Sequence, residues 1–489
     1  MTADSPPSAG TNAATPSRRL SFLTKTLYAS GSVGNAIKKG GLAGFLLIYY
    51  NQVVGLDAAM VGAVLGFAVI LDGFLDPIIG YWSDNTRSRL GRRHPFLYAS
   101  IIPVSIGFAL LWMAPQTWSP AMLLVYMTAL VVVVRVFDTF FEVPAAALLA
   151  ELTQEYDERT ALTSMRYIFG VIGAYGMRIL AYGVFLAPTL ADPSGITNRE
   201  GFATYGLVSG IVIFTAITCC CLGTHGQIHR LHTPPQRRHG LLSVLKEAAV
   251  IFTNRSMLSA AGAAMFMTVG LGSLAGLQVY LKIYFWGLTA KQVAVIVPLD
   301  MAGGVLGALS AMHISRRLGK RNAAVLALLL SYVGLAAPLL LRFAGQAPPP
   351  DDPMLLVLLG AGNFVMESGR VIFSILLVSM MLDVVEEAQL KTGRRSEGLI
   401  LSADNVLQKA VAGMGVFISG LILTFVDFPR GAKPGSVAPE VIDSLGAIVL
   451  VGLAPFYAAA AITLMAYVID RRRHEANVAA LSRSRGEAS

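Results

Sequence analysis

Apolar segments of about 20 residues recur along the whole chain, and this feature most narrowly limits what it can fold into. Inside a lipid bilayer every backbone polar group needs an internal partner, so a segment of that length crosses as an α-helix. Only 14% of the 489 residues are charged, whereas soluble proteins average about 25%. We therefore predict an all-α membrane protein. Its polar turns separate twelve predicted transmembrane helices, near residues 28–54, 58–82, 95–114, 120–148, 160–187, 203–223, 256–285, 289–315, 322–343, 354–381, 399–427 and 442–469.

The basic residues assign the two sides of the membrane. Of the 38 Lys and Arg residues, 25 fall in the tails and in the loops that follow even-numbered spans. The opposite side has five: Arg199, Lys291, Arg342, Arg430 and Lys433. By the positive-inside rule, both termini are predicted to be cytoplasmic, in a multi-pass protein of a cell (inner) membrane. The net charge of +9 then reflects topology, and it needs no nucleic-acid partner to explain it.

The predicted domains are two groups of six helices with polar segments around them. Residues 1–27 lack an apolar signal-peptide core and are interpreted as a cytoplasmic tail, as are residues 470–489. The N-terminal bundle covers 28–223 and the C-terminal bundle 256–469, and a cytoplasmic loop, 224–255, joins them.

The two groups resemble each other in sequence. DNTRSRLGRRHP follows the second span, and HISRRLGKRNA follows the eighth. Aligning Gly91 with Gly319 gives an offset of 228 residues, and the same offset carries Asp72 onto Asp300. A matched loop together with a matched intramembrane acid predicts two six-helix repeats, the arrangement of the major facilitator fold.

Charged residues inside the predicted spans are the main candidates for function. A charge at mid-bilayer costs at least about 2.5–3.5 kcal/mol on insertion scales, so it faces a cavity or a partner. The bases are Lys38, Lys39, Arg135, Arg166, Arg178, Lys282, Arg370 and Lys409, and the acids are Asp72, Asp76, Asp138, Glu142, Asp300, Glu367 and Asp404. Their near balance predicts internal pairing. Glu367 and Arg370, three residues apart, are interpreted as a structural pair, and Arg178 as a structural or interfacial residue.

Asp72 and Asp76 lie one helical turn apart in the apolar stretch LDGFLDPIIG. Like charges at this spacing repel, unless a cation lies between them or one carboxylate is protonated. Either arrangement describes a site for a coupling cation. The alternative is that each carboxylate pairs with a separate base.

Several blocks of sequence resemble one transporter family. The stretch LDGFLDPIIGYWSDNTRSRLGRRHP is similar to the second helix and following loop of the glycoside–pentoside–hexuronide:cation symporters, the melibiose permease-like family of the major facilitator superfamily. YYNQVVGL, FEVP, MMLDVVEEAQLKTGRRSEG and ADNVLQKAVAGM continue the resemblance in the same order. The resemblance implies a secondary symporter that works by alternating access between two bundles, with no cofactor beyond its coupling ion.

The resemblance also implies roles for particular residues. The cation-binding positions fall on Asp72, Asp76 and Thr139, and the sugar-contacting positions on Glu142, Arg166 and Lys409. Three positions depart from the family pattern. The amide of the cation site is replaced by Leu75, and a sugar-contacting aspartate and tryptophan are replaced by Ala36 and Ala146.

The substrate is predicted to be a small molecule: a sugar, a glycoside or a hexuronide. Lys38 and Lys39 add positive charge beside the acids Asp138 and Glu142, and this favours a negatively charged glycoside. An anionic amphiphile such as a lysophospholipid is the alternative. A further alternative is that Lys38 or Lys39 only neutralises Glu142 or Asp138.

The coupling ion is predicted to be H+ rather than Na+. Na+ prefers several oxygen ligands, and Leu75 removes one of them, whereas a proton needs a single carboxylate. Na+ at Asp72 and Asp76 is the alternative, and no other metal site is predicted.

Cytoplasmic charges are predicted to form a gate across the two bundles. The candidates are Asp84, Arg87, Arg92, Arg93, Arg394, Arg395 and Glu397. The alternative for the arginines is that they only set the topology. The sequence contains no G-x-S-x-G, H-E-x-x-H or Walker pattern, so neither an enzyme nor an ATP-driven pump is predicted. We expect a monomer among membrane lipids.

Overall fold

The computed structural model describes residues 20–153, 155–190, 192–230, 254–392 and 397–469, with 473, 475 and 476. For residues 156, 230, 388, 389, 391, 392 and 397–406 it describes the backbone but not the side chain. All regular secondary structure in these residues is helical, as the apolar segments predicted.

The long helices, numbered in chain order, are α1 (Phe22–Gly44), α2 (Ala58–Asn85), α3 (His94–Leu111), α4 (Pro120–Leu152), α5 (Tyr156–Leu180), α6 (Arg199–His225), α7 (Arg255–Tyr280), α8 (Ala290–Leu318), α9 (Lys320–Phe343), α10 (Pro353–Thr392), α11 (Glu397–Phe425) and α12 (Pro439–Met465). Short segments, Leu46–Ile48 and the π-turn Tyr49–Val53, continue α1. The π-turns Ala181–Phe185 and Leu281–Phe285 continue α5 and α7.

Eleven of the described helices, α2 to α12, contain a stretch long and apolar enough to cross a membrane. The first helix is not among them, because its sequence is polar and carries Lys25, Lys38 and Lys39. This helix begins at Phe22, inside the segment predicted as a tail. Much of the predicted central loop, 231–253, lies outside the described residues.

Six of the described helices, α1, α2, α4, α6, α7 and α8, begin at a residue whose side chain caps the helix. Asp57 accepts a hydrogen bond from the backbone of Met60 at the start of α2, and Ser119 caps α4 in the same way. At α8, Thr289 and Gln292 form a reciprocal capping box. These local signals explain why most helix starts lie close to the predicted ones.

The loops after α2 and after α8 share an unusual backbone conformation. Gly91 has φ +73° and Gly319 has φ +77°, in the left-handed region that favours glycine. These two glycines are the pair that the 228-residue offset aligns. The backbone therefore repeats where the sequence repeats.

Most helices among α1 to α6 pack on one another, and so do most among α7 to α12. The exception is α2, whose most extensive contact is with α11 across the two halves, and α5 also meets α8 there. Glycines allow α2 and α11 to come very close. A Cβ atom on Gly66 would lie 2.6 Å from the carbonyl oxygen of Gly413, and one on Gly420 would lie 2.4 Å from that of Ala58. Small residues that let backbones touch are the usual device for packing helices in lipid.

One end of the molecule, where α1 leads into α2, is closed by contacts between the halves. The Tyr280 hydroxyl donates to Asn51 Oδ1 at 2.8 Å, and the backbone N–H of Ala432 donates to Gln52 Oε1 at 2.9 Å. The Tyr284 hydroxyl also reaches Gln52, at 3.3 Å. We call these five residues the seal. All five are buried.

Candidate functional site

Asp72 and Asp76 each have their own basic partner. Asp72 is buried and accepts from Arg135 of α4 at 2.7 Å. Asp76 accepts from Lys409 of α11 at 2.5 Å, so this pair joins the two halves of the molecule. In this conformation the acids adopt the second arrangement that the sequence left open, in which each carboxylate pairs with a separate base.

The acids of α4 pair with the lysines of α1. Lys38 and Asp138 form a buried ion pair, and Lys39 Nζ lies 2.5 Å from Glu142 Oε1. Asp138 and Glu142 are one turn apart on α4, and consecutive lysines reach them from α1. The sequence left open that Lys38 or Lys39 only neutralises Glu142 or Asp138, and in the structure each lysine pairs with one of these acids.

Thr139 lies on α4 one turn beyond Arg135. Its side chain is buried, and its hydroxyl donates to the Arg135 carbonyl oxygen at 3.2 Å. Because residues four apart share a helix face, Thr139 lies beside the base that holds Asp72. This is consistent with a single polar site on α2 and α4.

A cavity of about 720 Å³ lies between the halves, lined by α1, α5, α7, α8 and α10. This volume is within the range of about 300–1,000 Å³ typical of small-molecule sites. Among the sequence-predicted substrate residues, Lys39 and Arg166 line it. Ala36 lines it too, so the position that lost the family's aspartate faces the space where a ligand would lie.

Arg166 is held by oxygen atoms without a carboxylate partner among the described residues. Its guanidinium donates to the Tyr28 hydroxyl at 3.3 Å and to the Ser32 hydroxyl at 3.4 Å. It also lies over the Tyr28 ring, 5.5 Å from the centroid. A charged donor held this way, on a cavity wall, is available to a ligand.

Four further charged residues, for which the sequence predicted no place in the site, also line the cavity. They are Arg178, Asp300, Glu367 and Arg370. Glu367 and Arg370 pair as predicted, with Arg370 Nε 2.7 Å from Glu367 Oε2, and the pair faces the cavity. The repeat offset that aligned Asp300 with Asp72 was the signal that could have placed Asp300 in the site.

The predicted gate is only partly within the described residues. Arg93 pairs with Asp84 and with Glu151, and Arg92 lies 2.8 Å from Glu151, so these contacts stay within the first half. Arg87 is exposed. Arg394 and Arg395 lie outside the described residues, and so does the side chain of Glu397.

The chain is similar to known transport proteins over most of its length. The model of the MFS/sugar transport protein family matches residues 27–471. The uncharacterized symporter sll1374 of Synechocystis sp. is 27% identical over 87% of this chain and 89% of its own length. The isoprimeverose transporter of Lactiplantibacillus pentosus is 24% identical over 87% of this chain and 84% of its own.

A solved structure shares the fold. A mutant of the nucleoside transporter NupG superposes with a TM-score of 0.62 over 91% of this chain and 100% of that chain, at 17% identity. The family model covers nearly the whole chain, including the motifs of α2, α4 and α11, so membership of the family explains these motifs. The chain belongs to the MFS/sugar transport protein family, within its group of glycoside–pentoside–hexuronide:cation symporters.

Proposed function

We propose that this protein, a transporter and not an enzyme, carries a sugar, glycoside or hexuronide together with a cation. The observation that carries the proposal is a cavity of ligand size between the halves, with the seal closing one end. The isoprimeverose transporter among its relatives supports a sugar as substrate. None of the relatives named above supports the amphiphile alternative.

The proposal includes twelve membrane spans in two six-helix bundles, with α1 as the first span. Its polar sequence is compatible with lipid because Lys38 and Lys39 are neutralised by acids of α4. It also packs closely against α5 and α6. The α1–α2 end is then external, both termini are cytoplasmic, and the protein acts as a monomer in a cell (inner) membrane.

The Asp76–Lys409 pair supports a coupling mechanism, because it joins α2 of one half to α11 of the other. A cation that neutralises Asp76 releases Lys409 and removes this tie between the halves. Asp72, Thr139 and Arg135 form the rest of the cation site. Because coupling is reciprocal, a substrate that binds more tightly when the cation is bound also tightens the cation.

Protons fit these pairs better than Na+. Na+ has to replace a base at a carboxylate and then find several further oxygen ligands, of which Thr139 offers one. A proton neutralises one carboxylate without further ligands. We therefore propose H+ as the coupling ion.

Purified protein in proteoliposomes tests the coupling site. Asp76→Asn should abolish uphill accumulation of the transported sugar under an imposed gradient, while downhill exchange continues. Asp351→Asn, which changes an exposed acid in the α9–α10 loop, is the matched control. Normal uphill accumulation by the Asp76→Asn protein would contradict the assignment.

The same vesicles decide the ion. With a pH gradient, acidic outside, the wild type should accumulate sugar in the absence of Na+. Uptake that requires Na+ and ignores the pH gradient would show that Na+ is the coupling ion and that backbone oxygens replace the lost amide.

A further inference from the structure

Among the side chains that the structure describes, which do not include that of Asp404, two intramembrane arginines have no acidic partner. Six intramembrane bases pair with six intramembrane acids: Lys38 with Asp138, Lys39 with Glu142, Arg135 with Asp72, Lys409 with Asp76, Lys282 with Asp300 and Arg370 with Glu367. Among the described residues, Arg166 and Arg178 have no carboxylate within salt-bridge distance. Both lie on α5 and line the cavity, which therefore carries surplus positive charge.

The two arginines differ in how firmly they are held. Arg166 has two hydroxyl partners, from Tyr28 and Ser32. Arg178 reaches only Gln278 Oε1 of α7, at the long distance of 3.5 Å, and lies 5.8 Å from the centre of the Tyr175 ring. Of the two guanidiniums, that of Arg178 has more of its donor capacity unused.

Arg178 and Arg166 serve different ends of the cavity. They are twelve residues apart, which is about 18 Å along the axis of α5 at 1.5 Å per residue. Arg178 is nearer the seal, and its partner Gln278 belongs to the other half of the molecule. A ligand bound there touches both halves below the closed end.

An acceptor atom without a partner among the described residues lies in the lining of the same cavity. Asp300 is 5% exposed, and its Oδ1 atom has no hydrogen-bond partner in the structure. Its other oxygen is 3.8 Å from Lys282 Nζ, a weak contact. Burying an unpaired carboxylate oxygen is unfavourable unless a ligand supplies the hydrogen bond.

We propose that Arg178, Gln278 and Asp300 form a subsite for the acid-bearing end of a sugar acid. Arg178 binds the substrate carboxylate with two parallel hydrogen bonds, the geometry that a guanidinium favours. The Gln278 amide donates a third hydrogen bond, and Asp300 Oδ1 accepts one from a ring hydroxyl. The inference rests on the proposed function and narrows its substrate class to uronides.

Uptake of paired probes tests the subsite. Methyl β-D-glucuronide and methyl β-D-glucoside differ only at C6, and the methyl glycosides of galacturonate and galactose form a second pair. In wild-type proteoliposomes, the KM for a uronide should be at least tenfold lower than that for its neutral partner. A tenfold ratio corresponds to about 1.4 kcal/mol of binding free energy.

Variants separate a binding role from a structural one. Arg178→Gln should bring the KM ratio close to one, because only the uronide loses a charged partner, and Arg178→Lys should restore part of the ratio. Arg199→Gln removes an arginine outside the cavity and should keep the wild-type ratio. A damaged fold would raise both KM values together.

Three results would overturn the subsite. If the wild-type protein takes up neutral sugars as well as uronides, or takes up neutral sugars only, the subsite is contradicted. Sugar symport itself is not contradicted by that result. An Arg178→Gln protein with the wild-type ratio contradicts it in the same way. A wild-type protein that transports none of the four glycosides, nor glucose, galactose, xylose or the free uronates, overturns the proposed function as well.

Discussion

The charged residues of the two halves are arranged differently, although the halves are repeats. In the first half, the ion pairs join separate helices: Lys38 and Lys39 tie α1 to α4, and Arg135 ties α4 to α2. Among the intramembrane charges of the second half, Glu367 and Arg370 pair within one turn of α10. The pair that joins two helical segments there, Lys282 with Asp300, is longer, at 3.8 Å. A pair between helices positions those helices, whereas a pair within one turn positions only its own side chains. The first half therefore uses its charges to hold the cation site, and the second half leaves charges facing the cavity.

The largest expected effect is at the most deeply buried pair. Lys38→Met leaves Asp138 buried and uncompensated, and removing one member of a buried ion pair costs about 3–5 kcal/mol. We expect a clear fall in the apparent Tm measured in detergent. The double variant Lys38→Met/Asp138→Leu should recover most of the lost Tm, because it removes both charges and leaves none buried without a partner.

Lys433→Met, in the α11–α12 loop, is the control for loss of a lysine. If Lys38→Met alone leaves the Tm unchanged, this pair does not hold α1 against α4.

Equivalent changes in the two halves should have unequal effects. Arg135→Gln removes the base that ties α2 to α4 and leaves Asp72 buried. Arg370→Gln removes a base whose side chain is 35% exposed, and Glu367 keeps the Tyr175 hydroxyl at 3.2 Å. We expect the fall in Tm for Arg370→Gln to be less than half of that for Arg135→Gln. Equal falls in Tm for the two variants would mean that these ion pairs contribute equally to stability in the two halves.

The smallest effect on stability is expected at the proposed gate. Asp84 is more than half exposed and pairs with Arg93, which keeps Glu151 as a partner. Asp84→Ala should change the free energy of unfolding by less than about 1 kcal/mol, because the Asp84 carboxylate is largely solvated and Arg93 keeps Glu151 as its partner. If Asp84 forms gating contacts when the cytoplasmic side closes, initial uptake should still fall severalfold. Uptake at the wild-type rate, equal to that of an Asp351→Ala control, would contradict the gate.

The sequence predicted the helical architecture well, and the reason is physical. Lipid requires long apolar helices, and several helix starts have a local capping signal, such as Asp57 or Thr289. The first helix, with its lysines, shows the limit of this approach. Its lysines are neutralised by acids elsewhere in the chain. The hydropathy of a single segment does not include these partners.

The amino-acid sequence by itself determined the fold class, the repeat and the set of residues able to carry charge in the membrane. These follow from local composition and from motifs. Only the tertiary structure decided which charges meet. Asp76 and Lys409 are 333 residues apart, and their contact depends on how closely the glycines of α2 and α11 let two helices approach. Arg166 and Arg178 are seen to lack an acidic partner among the described residues only once the helices are packed, because which charges are paired depends on the tertiary structure.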